Sequence, residues 1–236
     1  MTGGDFSDRV AGVASLAEPV RRELYLFVVA QHEPVSRDQA AAGVGVARHT
    51  AKFHLDKLVE EGLLDTEFRR LTGRAGPGAG RPAKLYRRAA GEVAVSLPER
   101  RYDLAGQLMA AAIDEASGKG TPVREALDRA AASFGATLGE QARAKRADQA
   151  SLEASQAGLC GMLAAHGYEP HVAAGRITLR NCPFHALAQA HTSLVCGMNL
   201  ALIGAAAERL DARLASRLEP AEGRCCVVIG TRRGST

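Results

Sequence analysis

No glycine-rich phosphate cradle, no paired-carboxylate arrangement and no oriented set of nucleophile, base and third group occurs along the 236 residues. Cys182 near His185 or His191 supplies a nucleophile and a base, but nothing accompanies them, so the sequence argues against an enzyme. No charged segment leading into an apolar run opens the chain. The most apolar stretch, Leu194 to Ala207, is too short, and at Asn199 too polar, to span a bilayer. A cytoplasmic protein with no membrane partner is expected. Cysteine is sparse and odd in number, five in all with four of them after residue 180. Without an export signal that count argues against a disulfide framework and leaves metal, cluster or redox roles open. Internal repeats and long low-complexity tracts are absent too.

What is present suits an ordinary globular chain: 46% hydrophobic and 24% charged residues, with length enough for two modest cores. The net charge of +4 is small but unevenly placed. From Thr66 to Ala90 seven basic residues (Arg69, Arg70, Arg74, Arg81, Lys84, Arg87, Arg88) face one acid, Glu67, whereas Gly91 to Thr236 carries 16 basic and 15 acidic residues. A polyanionic partner would therefore meet the N-terminal third.

Apolar spacing in Leu16 to Gln31, with Pro19 near the start, predicts a first helix. Ser36 reads as the N-cap of a short helix ending near Ala42, and Gly43 to Val46 as a tight turn. A third helix is expected from Ala47 to Glu61, stopped at Gly62. Within it Ala51, Leu55 and Leu58 recur at helical spacing and must face the core, which leaves Arg48, His49, Lys52 and Asp56 on or near the opposite side. Leu63 to Leu71 and Ala83 to Arg88 read as strands joined by a Gly/Pro-rich tip. Helix, helix, turn, helix, hairpin is the order of a winged helix-turn-helix. The expected layout is α+β throughout: a winged domain over 1–90, a linker and dimerisation helices over 91–148, and a small α+β sensor domain over 149–236. In the last part, helices are expected at Leu152 to His166, Pro183 to Ala190 and Ser193 to Leu210. Hairpins should turn at Ala174-Gly175 and near Pro220 to Gly223.

A DNA major groove admits one helix and distinguishes bases through side chains that donate or accept in pairs. Arg48, His49 and Lys52 are such side chains near the start of the third helix. Arg74 and the Gly80-Arg81-Pro82 segment put cations on a tip able to approach a minor groove, and Lys84 adds another on the returning strand. The candidate partner is a double-stranded DNA operator. Val44 to Leu64, with His54-Leu55 and Glu61-Gly62-Leu63-Leu64, resembles the arsenic-repressor superfamily of winged-helix regulators. That resemblance implies a homodimer on a palindromic operator. It also makes His54 a partly buried structural residue rather than a base reader. The superfamily's short Cys-x-Cys metal signature is missing, so the resemblance implies no metal sensing in the N-terminal domain.

The cysteines fall at Asn181-Cys182-Pro183-Phe184-His185, Cys196-Gly197-Met198-Asn199 and Arg224-Cys225-Cys226. With Pro183 at the first helical position, Cys182 is expected as an N-cap whose sulfur meets free backbone N–H groups. Cys196, in the first turn after a cap at Thr192 or Ser193, should feel the same thiolate-favouring field. Cys225 and Cys226, as strand neighbours, should point to opposite faces, so that only one joins the other two. A fourth position would then be open to His185, His191, another residue or solvent. Soft thiolates suit an iron–sulfur cluster or zinc. Gaps of 13 and 28 residues are less specific than paired Cys-x-x-Cys knuckles, and buried cysteine often acts only as a small hydrophobe, which is the expectation for Cys160. Together with the winged helix, these motifs resemble the SufR-type cluster-binding repressors of iron–sulfur assembly operons. The resemblance implies a repressor dimer holding an Fe–S cluster, as in [4Fe–4S] redox sensors, on Cys182, Cys196 and Cys225. The chain differs in its longer first spacing and in the extra thiol of Cys226, which keeps the choice between Cys225 and Cys226 open.

Overall fold

A computed structural model of the chain describes residues 6–70, 82–145 and 151–232. These divide into two compact units, Met1–Val95 and Ser96–Thr236.

In the first unit α1 (Phe6–Ser15) precedes α2 (Pro19–Val29), β1 (Val35–Ser36), α3 (Arg37–Val44), α4 (Arg48–Glu60), β2 (Leu64–Arg69) and β3 (Ala83–Arg88). The expected helix from Leu16 begins instead at Pro19. Glu18 stops it from starting earlier, because its carboxylate accepts the Val20 and Arg21 N–H groups as an N-cap, while Leu16 and Ala17 close the end of α1. Ser36 caps α3 as expected and forms a reciprocal capping box with Gln39, worth about 1 kcal/mol. The helix runs two residues past Ala42 and ends on Gly45, whose φ of 75° needs a residue without a side chain.

Helix α4 buries Ala51, Leu55 and Leu58 against Leu24 and Val28 of α2 and Ala40 and Ala41 of α3. Each leucine so buried contributes roughly 1.5–3 kcal/mol. The strands form one antiparallel sheet in the order β1-β3-β2, with Leu64 opposite Arg88 and Phe68 opposite Lys84. The hairpin tip, including Arg74 and Arg81, lies outside the described residues.

The second unit contains α5 (Tyr102–Lys119), α6 (Val123–Ala144), α7 (Leu152–Ala164), β4 (Pro170–Ala173), β5 (Arg176–Leu179), α8 (His185–Ala190), α9 (Thr192–Leu210), β6 (Leu214–Leu218) and β7 (Val227–Thr231). An antiparallel sheet runs β4-β5-β7-β6. The hairpin between β4 and β5 turns on Ala174 and Gly175, both at positive φ, where the sequence placed it. The helices of 91–148 share one core with the later elements: Leu104, Leu108 and Leu127 join Leu159, Ile177, Leu202 and Ile229.

At the centre of this unit α6 meets α9 backbone to backbone. A Cβ on Gly135 would stand 2.0 Å from the Leu202 carbonyl oxygen, and one on Gly139 2.4 Å from that of Ala206. By length and composition α9 could cross a membrane, yet half of that stretch is buried inside the protein.

Candidate functional site

On α4 the core stripe of Ala51, Leu55 and Leu58 fixes which side chains face outward. His49, Lys52, Phe53 and Asp56, at i, i+3, i+4 and i+7, line one shallow groove together with Lys57 and Glu60. Arg48, His49 and Lys52 are all exposed, as a reading face requires.

The cations on this face are held by carboxylates that the sequence does not mark as partners. Arg48 Nη2 donates to Asp38 Oδ2 at 2.6 Å, and its Nε also meets that carboxylate. Lys52 and Lys84 both bind Asp56, at 2.9 and 2.6 Å, and the Tyr86 hydroxyl donates to the same group at 2.9 Å. Although partial burial opposes it, hydrogen bonds from Lys84, Lys52 and Tyr86 hold the Asp56 carboxyl down at about 2. Burial and the bond to Asp56 together push the Tyr86 hydroxyl up.

Asp56 thus ties α4 to β3 and pairs with both Lys52 and Lys84. Such partly exposed ion pairs are worth little in water. The His54 side chain is largely buried, beside Glu18 at 3.5 Å and Arg21 at 3.4 Å.

The second site is a chain of thiols in the second unit. Cys182 precedes α8, Cys196 lies on α9, and Cys225 and Cys226 occupy the bend before β7. Three of the sequence expectations change here. First, α8 starts at His185 rather than Pro183, because the His185 N–H closes a turn onto the Cys182 carbonyl. The Cys182 sulfur still accepts a backbone N–H, that of Phe184. Second, α9 begins at Thr192 without a side-chain cap, which places Cys196 beyond the first turn. Burial and donation to Cys226 push its thiol up to about 12, the reverse of the expected thiolate-favouring field. Third, Cys225 and Cys226 are not strand neighbours: in the bend both thiols meet the others.

The thiols act on one another's ionisation in the order Cys182, Cys225, Cys226, Cys196. Cys225, with a single S–H proton to share between Cys182 and Cys226, has its thiol driven far up by those two neighbours and by burial. Donation from Cys225, then the Phe184 N–H and the Arg100 charge, pulls Cys182 down against the cost of burial. Cys226 accepts from Cys225 and Cys196 and feels Arg224, and lies at about 6 in spite of burial. Two thiolate positions therefore alternate with two thiols, near two arginines.

Around them Asn199, only 1% exposed, donates Nδ2–H to Cys225 Sγ at 3.3 Å and accepts from the buried Tyr168 hydroxyl at 2.5 Å. Arg100 donates to the Cys182 carbonyl at 3.1 Å and to Asn181 Oδ1 at 2.5 Å. The Asn181 amide in turn donates to the carbonyls of Glu99 and Gly167. Asn199 and Tyr168 escape a reading of the sequence because each sits in a segment otherwise committed to the core.

His185 and His191 are exposed and take no part in the bonds that link the thiols. Cys160 packs partly buried against the core, and burial alone raises its thiol. Among the described residues no three His, Cys, Asp or Glu side chains converge tightly enough to hold a single metal ion as they stand.

Residues 16–67, from just before α2 to within β2, match a family model described as a helix-turn-helix domain. That match makes α4 the candidate reading element of a DNA-binding transcription regulator. No curated protein and no solved structure is similar enough to the chain to match it.

Proposed function

We propose that the protein is a dimeric transcriptional repressor that reads an operator with α4 and senses redox or iron–sulfur status through its thiols. The observation that carries the reading is the pairing of a helix-turn-helix domain with a four-thiol chain in a separate unit.

On the DNA side, Arg48, His49 and Lys52 supply donors to base edges, while Lys84, Arg74 and Arg81 serve the backbone. On the sensing side, the donor set fits an iron–sulfur cluster. The thiols are soft, Cys182 and Cys226 are already biased toward thiolate, and Arg100 and Arg224 offset the negative charge that ligation brings. A [4Fe–4S] cluster takes one thiolate per iron, so its ligands need not converge on one point as those of a mononuclear zinc do. Cys182, Cys196 and Cys225 are the proposed ligands, and Cys226 stands within the same hydrogen-bonded set. When bound, the cluster would supply a redox-sensitive charge. The chain's own residues orient the thiols and exclude water: Asn199 at Cys225, Arg100 at the Cys182 backbone and Phe184 beneath the turn. Cluster loss or oxidation would shift operator affinity by differential stability of the two states. A protein acting on DNA in this way works in the cytoplasm.

The test is anaerobic purification with measurement of iron, acid-labile sulfide and visible absorption. Broad visible absorption that bleaches in air, accompanied by both elements, is the expected result. One zinc per chain insensitive to oxidant would replace the sensor by a structural staple. A colourless protein without metal would remove the cluster and favour an apolar-ligand regulator.

A further inference from the structure

We infer that Phe53 is a specificity-determining residue that reads a thymine methyl group in the major groove. This rests on the DNA-binding reading of α4 and is independent of the thiols. Phe53 is 63% exposed on a helix whose other apolar residues of that size, Leu55 and Leu58, are fully buried. Among the described residues its one aromatic contact is an edge-type packing with the His54 ring, at 5.2 Å between centroids, and its exposure leaves most of the residue open to solvent. It shares the outward groove with His49 and Lys52.

Covering this exposed phenyl ring with an apolar group on binding would be favourable. The base edges offer one such feature. In the major groove every other recognition group is a hydrogen-bond donor or acceptor, and only thymine presents a methyl.

The position also fits. From Arg48 to Phe53 the helix rises about 7.5 Å at 1.5 Å per residue. That is roughly two base-pair steps at about 3.4 Å each. Arg48, Lys52 and Phe53 can thus address neighbouring base pairs, two by hydrogen bonding and one by apolar contact. The neighbouring cations Arg48 and Lys52 are paired with Asp38 and Asp56.

The experiment uses the full-length protein and duplexes that it recovers from a random-sequence pool. Each thymine of a recovered duplex is replaced singly by deoxyuridine, which removes the methyl and nothing else. Burial of one methyl is worth roughly 0.8 kcal/mol, or about fourfold in affinity. At one or more positions the unaltered protein should lose about that factor. Phe53→Ala should weaken the thymine duplex similarly and erase the difference between thymine and deoxyuridine. Lys52→Ala should weaken binding yet preserve the difference.

Equal binding of thymine and deoxyuridine duplexes at every position by the unaltered protein overturns the inference, and that comparison needs no variant. Persistence of the difference in Phe53→Ala overturns it too. Failure to recover any duplex overturns the DNA-binding reading itself, and the role of Phe53 with it.

Discussion

Gly135→Ala should destabilise the second unit even though alanine is the better helix former. At this position the new Cβ would lie 2.0 Å from the Leu202 carbonyl oxygen, 2.8 Å from its carbon and 3.1 Å from its Cα. All three are backbone atoms of α9, so no side chain can rotate away. Relief requires α6 and α9 to part by about 1 Å along their contact, which forfeits dispersion contacts on both sides. Alanine gains about 1 kcal/mol of helix propensity. Overpacking against backbone costs about 3 kcal/mol, the upper end of the usual range. The net loss is then about 2 kcal/mol, which lowers a urea midpoint by roughly 1 M at a slope of about 2 kcal/mol/M. The internal control is Gly161→Ala on α7, where a Cβ meets nothing within 4 Å. There only the propensity gain remains, so the midpoint should rise slightly. Far-UV circular dichroism followed through urea unfolding of the full chain measures both. An unchanged or raised midpoint for Gly135→Ala would refute the close backbone packing of α6 on α9.

Asp56→Asn should release Lys52 and Lys84, raising affinity for non-specific duplex and steepening the fall of log K with log salt by about 1 to 2 units; fluorescence anisotropy across a salt series checks it, and an unaltered slope would contradict the pairing. Because the folded Asp56 carboxyl lies at about 2, below its ordinary 3.8, its contribution is fully present above about pH 4 and is lost as pH falls toward 2, so the same variant should flatten that stretch of the acid-unfolding curve. Asn199→Leu should cost about 1–3 kcal/mol by leaving the buried Tyr168 hydroxyl without its acceptor, and Tyr168→Phe added to it should recover much of the loss. Urea unfolding of the single and double variants decides this, and strictly additive losses would go against the shared bond. In metal-free reduced protein, Cys226 should be alkylated by iodoacetamide first and Cys225 last at pH 7, with Cys226 half-maximal near pH 6, as read by peptide mass spectrometry; the opposite order would contradict the donor and acceptor roles among the thiols.

The parts of the fold legible in the sequence are those set by local periodicity and capping. Ala51, Leu55 and Leu58 declare the buried side of α4, Ser36 and Gln39 its neighbour's start, and Ala174-Gly175 a hairpin turn. α1 escaped notice because its Phe6, Val10 and Val13 remain exposed and so contribute nothing to the core pattern. The start of α8 is not legible because Pro183 fits a turn as well as a first helical residue, and the hydrogen bond from the His185 N–H to the Cys182 carbonyl decides between them. The strand alternation rule did not apply to Cys225 and Cys226, because pairing with β6 begins only at Val227. Asp56, which holds Lys84 from 28 residues away, and Asn199, which joins Tyr168 to Cys225, act through contacts no local pattern reveals.

The most direct test of the account is the affinity of the full-length protein for duplex from its own promoter region at low ionic strength, compared with Arg48→Ala/Lys52→Ala. Binding that weakens with salt, prefers the promoter duplex over a shuffled one, and loses that preference in the double variant is the predicted result. Absence of duplex binding, or a double variant with its preference intact, would contradict α4 as the element that reads DNA.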